Sequence, residues 1–203
     1  MTSSTPQRRG PAHPPPPDPG RRHVREGRIA LVRPDQHDRD EFLAAVAASR
    51  ELHGRWVDPA DTAERFAAYL RRVGRPDTAG WLIRAHDSGA LAGVVNINAM
   101  VWGSLCSGHL GYYGFAGTAG HGYVTEGVAL AVREAFEHLH LHRVEAAVQP
   151  GNAPSTALVR RLGFHHEGLS RRYMKVDGGW RDHDRWALTV EDAHRLPAPR
   201  DPN

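Results

Sequence analysis

The segment Gly108–Thr125 carries the densest set of residues that could hold a ligand. Its sequence, GHLGYYGFAGTAGHGYVT, runs from a strand-like pattern into closely spaced glycines and then into an amphipathic helix pattern. Glycines let a backbone turn tightly and let a ligand approach it. The start of a helix adds unpaired N–H groups and the positive end of the helix dipole. The segment therefore predicts an anion site suited to a pyrophosphate. A glycine-rich connection that binds nothing is the alternative.

Two familiar phosphate-binding patterns are absent from the sequence. No G-x-x-x-x-G-K-[ST] occurs, so a P-loop is not expected. Gly120 and Gly122 give a Gly-x-Gly, but Thr125 stands where the dinucleotide fingerprint needs its third glycine.

Histidine is frequent, with 14 residues in the chain. There is no H-E-x-x-H pair, and Cys106, the single cysteine, cannot form a thiolate cluster. His138, His140 and His142 straddle a predicted helix end and the loop after it. We therefore expect structural or surface histidines and no metal site.

The elements that must position these residues alternate between strand and helix periods. Strands are predicted over 28–33, 81–86, 90–97, 108–115, 143–148, 164–174 and 181–189. Helices are predicted over 38–52, 61–73, 123–139 and 152–162. This order predicts an α/β (mixed α+β) fold, a central mixed sheet of about seven strands flanked by about four helices.

Composition places these elements in one domain between two tails. Residues 1–25 are rich in Pro, Arg and Gly and are predicted to be a disordered tail, because they cannot bury enough apolar surface. Residues 26–195 are predicted to be the folded domain, and residues 196–203 a second short tail.

Charge and hydropathy narrow the class of protein. The chain has 203 residues, 40% of them apolar, and a net charge of +3. No apolar run approaches the roughly 20 residues of a membrane-spanning helix. The scattered arginines favour a solvated surface over a dedicated nucleic-acid face. A single cysteine suits a reducing compartment, so we expect a cytoplasmic protein.

Several segments together resemble one enzyme family. Gly120–Thr125, after the strand 109–114, resembles the acetyl-CoA pyrophosphate loop of GNAT N-acetyltransferases. Further segments are similar to that family in order and spacing: 142–145 (HRVE), 151–155 (GNAPS), 161–164 (RLGF), 167–173 (EGLSRRY) and 177–183 (DGGWRDH). The last two resemble the branch that acetylates ribosomal proteins, particularly the ribosomal-protein-alanine N-acetyltransferases. The resemblance covers roughly 28–192 and implies a GNAT-like fold.

The resemblance implies acetyl-CoA as cosubstrate and a set of residues that hold it. The pantetheine arm would pair with the strand around Tyr113–Phe115, where a backbone N–H could polarise the thioester carbonyl. The implied contacts are Tyr113, Phe115, Gly117, Gly120, His121, Gly122, Tyr123, Val124, Thr125 and Asn152. Asn152 could cap the helix 152–162 as well as face the cosubstrate, and a cap alone is the alternative for it. The family usually has Arg or Gln just before the first glycine of the loop, whereas this chain has Gly117, Thr118 and Ala119. We expect the backbone N–H cradle to bind nevertheless, with lower affinity.

The transfer also needs an acid for the departing thiolate and a base for the amine. The resemblance implies Ser155 as the acid, with a helix-capping serine as the alternative. Candidates for the base are Glu126, next to the loop, and Glu145, in a strand. Each has a structural alternative. Glu126 could be a first-turn carboxylate that interacts favourably with the helix dipole. Glu145 could be an exposed position of a strand. Glu167 and Asp177 are further candidates, and a water relay remains open.

The sequence thus predicts an acetyl-CoA-dependent N-acetyltransferase that acts by direct attack of an amine. Cys106 precedes the strand, which disfavours a route through an acetyl-cysteine. The expected acceptor is a protein N-terminal amine, and the resemblance implies that the protein is of the ribosomal type. A small-molecule or antibiotic amine is the alternative acceptor. A non-catalytic acyl-CoA-binding or ribosome-associated module is the second alternative. Either a monomer or a homodimer is compatible with the sequence.

Overall fold

One mixed sheet of eight strands runs through the molecule. The computed structural model describes residues 23–200, and in them the strand order is β1-β2-β3-β4-β5-β6-β8-β7. The strands are β1 (His23–Glu26), β2 (Ile29–Val32), β3 (Ala79–Ala85), β4 (Leu91–Val101), β5 (Ser107–Gly114), β6 (Arg143–Val148), β7 (His165–Val176) and β8 (Gly179–Thr189). Neighbours are antiparallel, except that β5 and β6 are parallel. The predicted mixed fold is confirmed.

In this described part of the chain, five helices flank the sheet: α1 (Arg39–Ala48), α2 (Arg50–His53), α3 (Ala63–Val73), α4 (Tyr123–Glu137) and α5 (Ala153–Arg161). Short 3₁₀ turns cover Gln36–Asp38, Ala116–Thr118 and Val190–Arg195. The sequence predicts one helix over 38–52, but the structure divides it at Ser49. The Ser49 hydroxyl donates to the carbonyl of Ala45 at 2.6 Å and accepts the N–H of Ala116 at 2.9 Å. This division sets the direction of α2, which ends at His53.

The first three residues of strand β1 lie within the segment 1–25 that the sequence predicts to be a disordered tail. It pairs with β2 across a turn at Gly27, where φ is 60°. Val24 packs on the main core, and Glu26 pairs with Arg133 of α4 at 2.9 Å. The folded part therefore begins before residue 26, and β1 is the strand missing from the predicted seven. Its sequence, HVRE, contains a single apolar residue and so shows no strand period. Residues 1–22 lie outside the described part of the chain.

The predicted C-terminal tail also begins inside the fold. Leu196 is 8% exposed and belongs to the main core. Arg133 donates a hydrogen bond to the carbonyl of Pro197. The folded domain therefore extends beyond 195, the end that the sequence predicts. One apolar residue and one backbone acceptor give little signal in a sequence, which is why the prediction ends the domain too early. Residues 201–203 lie outside the described residues.

Hydrophobic cores lie on both faces of the sheet. Trp81 and Ile83 of β3 face the larger core together with α4 and α5, whereas Leu82 faces the smaller one. Phe42 of α1 and Phe66 of α3 fill the smaller core, with their ring centroids 4.8 Å apart. The alternation follows from the two-residue period of a strand, and it fixes which side chains of β5 reach each face.

Strands β5 and β6 separate part of the way along their length. They pair only over Ser107–Leu110 and Arg143–Ala146, while β4 stays paired with β5 as far as Gly114. Within the described residues, the last part of β5 therefore has a strand neighbour on one side only. The opening lies beside the starts of α4 and α5.

We predict that removing residues 1–22 and removing residues 1–26 have different effects on stability. The first change leaves β1 in place and should shift the melting temperature by less than about 2 °C. The second removes the backbone pairing with β2, the contact of Val24 and the Glu26–Arg133 ion pair. We expect a loss of roughly 2 kcal/mol, or about 4–8 °C for a domain of this size. Calorimetry of both truncated chains measures this. Equal melting temperatures would show that β1 adds nothing to the fold.

Candidate active site

A cavity of about 380 Å³ occupies the opening between β5 and β6. The walls come from α2 and the segment after it, from β5, from the glycine-rich loop and from α5. The lining residues are Leu52, His53, Trp56, Val57, Ala92, Tyr112, Tyr113, Gly114, Phe115, Thr118, Ala119, Gly120, Gly122, Tyr123, Val124, Thr125, Asn152, Pro154, Ser155, Ala157, Leu158 and Arg161. Most of the residues expected to hold the cosubstrate thus meet in one place. Gly117 and His121 are absent from this lining.

The glycine-rich loop has the backbone of an anion cradle. Gly120 and Gly122 have φ of 82° and 83°, a conformation that favours glycine. A Cβ built on Gly120 would meet no atom within 4 Å, so the space over the loop is open. Gly122 is the N-cap of α4 and supplies no side-chain hydrogen bond to the first turn. The first N–H groups of α4 are therefore available to an anion.

Positive charge reaches this loop from outside it. Arg28, in the turn between β1 and β2, donates to the carbonyl of His121 at 3.0 Å. Its guanidinium also lies 5.1 Å from the centroid of the Tyr123 ring. Arg161, at the end of α5, lines the cavity itself. Two cations from distant parts of the chain thus lie near a loop that has neither arginine nor glutamine, which loop spacing could not indicate. Arg28 is also ion-paired with Glu126.

The hydrogen-bonding direction of β5 corrects the predicted backbone contacts. The N–H of Phe115 donates to the carbonyl of Ala92 at 3.0 Å. Residues of an antiparallel pair alternate between bonding to the partner strand and pointing away from it. By this alternation Tyr113 and Phe115 bond to β4, whereas Tyr112 and Gly114 turn their N–H groups to the cavity. Tyr113 and Phe115 therefore contribute side chains to the lining and no free backbone donor.

Ser155 lies against a residue that the sequence alone does not single out. Its Oγ is 2.7 Å from the hydroxyl of Tyr112. Asn152 caps α5, since its Oδ1 accepts the N–H of Ser155 at 3.2 Å. Burial raises the pKa of Tyr112 to about 12, although the hydrogen bond to Ser155 lowers it. The cavity therefore contains a pair of protonated hydroxyls, and the capping role belongs to Asn152.

The two glutamates predicted as bases lie outside the cavity lining. Glu126 forms an ion pair with Arg28. Glu145 forms ion pairs with Arg143, at 3.1 Å, and with Arg185. Burial alone would raise the pKa of Glu145, but the hydrogen bond and charge of Arg143 outweigh it, and the pKa is lowered. A carboxylate with a lowered pKa is a weak base, which disfavours Glu145 as the base. Glu126 lies in the first turn of α4, as its structural alternative expects. Glu145 is not the exposed strand position expected as its alternative, because its side chain is 16% exposed and is held by two arginines.

The α2 segment provides the remaining wall. His53 donates from Nε2 to the carbonyl of Gly114 at 2.9 Å. Trp56 lines the cavity, and the guanidinium of Arg55 stacks over its ring at 4.5 Å. Gln149, after β6, donates to the carbonyl of Trp56 at 3.2 Å and so holds this segment in place. The sequence indicates neither the position of His53 in the cavity wall nor the hydrogen bond from Gln149, because both depend on contacts between residues far apart along the chain.

Across residues 23–200 the structure places no three His, Cys, Asp or Glu side chains where they could hold a metal ion. No helix in that range is long and apolar enough to span a bilayer.

Comparison with known proteins gives consistent matches. The family profile described as the acetyltransferase (GNAT) domain matches residues 28–165. A probable N-acetyltransferase of Bacillus subtilis, YjcK, is 31% identical over 176 residues, 82% of this chain and 97% of that protein. The ribosomal protein uS5-alanine N-acetyltransferase of Escherichia coli is 38% identical over 106 residues, 52% of this chain and 55% of that protein. The structure of Mycobacterium smegmatis RimJ in complex with CoA-disulfide superposes with a TM-score of 0.75 at 28% identity, covering 83% of this chain and 88% of that one.

The family profile covers most of the chain, and the Bacillus relative is matched over nearly its whole length. Both matches agree with the geometry of the site, in which a glycine-rich loop lies beside two strands that separate. The chain therefore belongs to the GNAT family and is an acetyl-CoA-dependent N-acetyltransferase, with an amine as its second substrate.

Proposed function

We propose that this enzyme acetylates the N-terminal amine of a protein, and that ribosomal proteins are the acceptor class. One observation carries the proposal: among the described residues, no Asp or Glu lines the cavity. Polyamines and aminoglycosides carry several positive charges, which a buried site must pair with carboxylates. A peptide N-terminus brings a single charge. The likeness to a ribosomal protein uS5-alanine N-acetyltransferase supports the same acceptor class.

The shape of the cavity supports entry of the two substrates from different sides. One end is the glycine loop and the start of α4. The other end is α2, where the lining residue Leu52 is 46% exposed. The segment around Trp56 borders this second end. An extended peptide terminus can therefore reach the opening of the sheet while the loop end is filled.

The residues fit acetyl-CoA. Its pyrophosphate would lie on the N–H groups of the loop and of α4, between the charges of Arg28 and Arg161. The pantetheine amides would pair with the free edge of β5 at Tyr112 and Gly114. When bound, acetyl-CoA supplies an activated thioester carbonyl. A β5 N–H can polarise that carbonyl, and Asn152 keeps the start of α5 beside it.

The hydroxyl pair supplies the proton for the leaving group. Ser155 and Tyr112 are hydrogen-bonded to each other, and either can donate. The raised pKa of Tyr112 keeps its proton in place at neutral pH. When the C–S bond breaks, the sulfur takes a proton from this pair, and the other hydroxyl passes its own proton along.

Gly122→Ala should weaken acetyl-CoA binding, because its Cβ would stand at the N-terminus of α4, 3.7 Å from a guanidinium nitrogen of Arg28, and would crowd an anion bound there. A loss of about 1.4 kcal/mol corresponds to a tenfold rise in Kd, measured by titration calorimetry. Gly89→Ala is the matched control: its φ of 69° imposes similar backbone strain in the β3–β4 turn, and a Cβ there meets nothing. Both variants should lose comparable stability, and only Gly122→Ala should lose affinity. Unchanged affinity in Gly122→Ala would remove the loop from the cosubstrate site.

Ser155→Ala and Tyr112→Phe should each lower kcat by about 10²-fold or more, while the acetyl-CoA Kd stays within about twofold. The double variant should be little worse than either single one, because both act in one proton path. Asn152→Ala is the reference for capping and should cost roughly 0.5–2 kcal/mol of stability. If Ser155→Ala instead loses stability and keeps its kcat, the hydroxyl pair has no part in the chemistry.

An acceptor panel tests the substrate class. It contains ribosomal-protein N-terminal peptides that begin with Ala or Ser, the same peptides blocked at the N-terminus, spermidine and an aminoglycoside. The unblocked peptides should have a kcat/KM at least about tenfold above the polycations, which corresponds to one unpaired charge at roughly 1.4 kcal/mol. Mass spectrometry should locate the acetyl group on the α-amine. Preference for spermidine or the aminoglycoside would overturn the proposed acceptor.

A further inference from the structure

His53 is the one imidazole that lines the cavity within the described residues. It is 5% exposed and is held in a fixed orientation. Its Nε2 lies 2.9 Å from the carbonyl oxygen of Gly114. The ring meets that of Tyr113 edge-on, with centroids 5.3 Å apart and planes at 82°. A second ring contact, to Phe115, has a centroid distance of 6.0 Å.

The contact with Gly114 decides the tautomer. A carbonyl oxygen only accepts hydrogen bonds, so Nε2 carries the proton of the neutral ring and Nδ1 keeps its lone pair. Nδ1 has no hydrogen-bond partner in the described part of the chain. Other side-chain atoms without a partner are fully buried there, but Nδ1 is not one of these buried atoms. The basic nitrogen of His53 is therefore reachable by solvent, and His53 itself lines the cavity.

We propose that Nδ1 of His53 is the base that takes the proton from the acceptor amine. The inference rests on the proposed function, because it requires an amine to react in this cavity. It fills the role for which Glu126 and Glu145 are candidates in the sequence. Both glutamates are held by arginines outside the lining, and His53 stands at the free edge of β5.

The surroundings of His53 keep the base unprotonated at neutral pH. Burial lowers its pKa, and the hydrogen bond to Gly114 offsets this only in part. On β5, burial raises the pKa of Tyr113, which stays neutral. Other titratable or charged groups on the cavity walls are Tyr112, Tyr123 and, from α5, Arg161. On α2 itself Arg50 and Glu51 are exposed.

A base of this strength matches one class of amine. An N-terminal α-amine has an ordinary pKa of about 7.7–8.0, whereas a lysine ε-amine has about 10.4. Transfer of a proton to neutral imidazole is therefore much less unfavourable from the α-amine. Together with the lack of carboxylates in the described lining, this makes the site selective for a protein N-terminus by proton affinity as well as by charge.

The protons and electrons balance as follows. The ammonium group loses one proton to Nδ1 of His53, and the freed lone pair forms the C–N bond to the acetyl carbon. The C–S bond breaks with its electron pair on sulfur, which takes a proton from the Ser155–Tyr112 pair. The nitrogen sheds its second proton to water, and the pair recovers one from water. His53 releases its proton to solvent, so the products are the amide, the thiol of CoA and one proton.

Two substitutions separate a base from a structural hydrogen bond. His53→Gln places an amide nitrogen near the former Nε2, so it can still donate to Gly114, but it has no basic nitrogen. His53→Asn lacks the reach to Gly114 and is also not basic. We expect His53→Gln to lower kcat by about 10²–10⁴-fold with an acetyl-CoA Kd within about twofold of the wild type. If His53 only holds β5, His53→Gln keeps its activity and His53→Asn alone is impaired.

The pH profile of kcat at saturating peptide provides a second measurement. Because imidazolium cannot accept a proton, kcat of the wild-type enzyme should fall below a pKa lower than about 6.5, and His53→Gln should lose this acidic limb. His37→Gln is the control, since its side chain is 96% exposed in the 3₁₀ turn before α1, and it should keep both rate and limb. An acidic limb that persists in His53→Gln would overturn the assignment.

An NMR titration of the wild-type protein needs no acceptor. The imidazole ¹⁵N shifts of His53 should report the Nε2–H tautomer and a pKa below about 6.5. An Nδ1–H tautomer, or a pKa above that value, would overturn the proposal. If spermidine is acetylated in place of the peptides, the proposed acceptor class is wrong. The His53 variants are then assayed with spermidine as the acceptor. These measurements therefore distinguish an error in the role proposed for His53 from an error in the proposed acceptor class.

Discussion

The parting of β5 from β6 is the constraint on which the site depends. Backbone N–H and C=O groups inside a protein need partners, and beyond Leu110 one edge of β5 has no neighbouring strand in the described structure. His53 takes the carbonyl of Gly114, and the N–H groups of this edge are left for a ligand. Strand β5 leads into the glycine loop and β6 leads toward α5. The same opening therefore brings the anion cradle and the hydroxyl pair to opposite sides of one cavity.

Features that follow from local pattern were predictable. The glycine loop, α4, α5 and seven of the eight strands appear in the sequence as periods of two and 3.6 residues and as glycine spacing. The sequence also singles out Ser155, but it cannot separate the two roles predicted for that residue. A serine in a first turn is compatible with both capping and catalysis, and only the contact of Asn152 with the Ser155 N–H assigns the cap.

Features that depend on register were not predictable. Tyr112 meets Ser155 across 43 residues, and Arg28 reaches Glu126 across 98. His53 gains its orientation from a carbonyl on β5 that points away from β4 only because of the pairing register. Glu126 has the same local pattern whether it serves as base or as ion-pair partner. Its environment is set by a turn at the far edge of the sheet.

Arg28 links two parts of the molecule that are distant along the chain. One guanidinium holds the carbonyl of His121 and the carboxylate of Glu126, and it belongs to the turn that closes β1 onto β2. An anion bound on the loop would face this guanidinium as well, and we expect that contact to couple the loop to the first hairpin. By linkage, part of the binding free energy of the cosubstrate becomes stability of the N-terminal edge of the sheet. Amide exchange in β1 therefore reports the occupancy of a site to which β1 contributes no residue of its own.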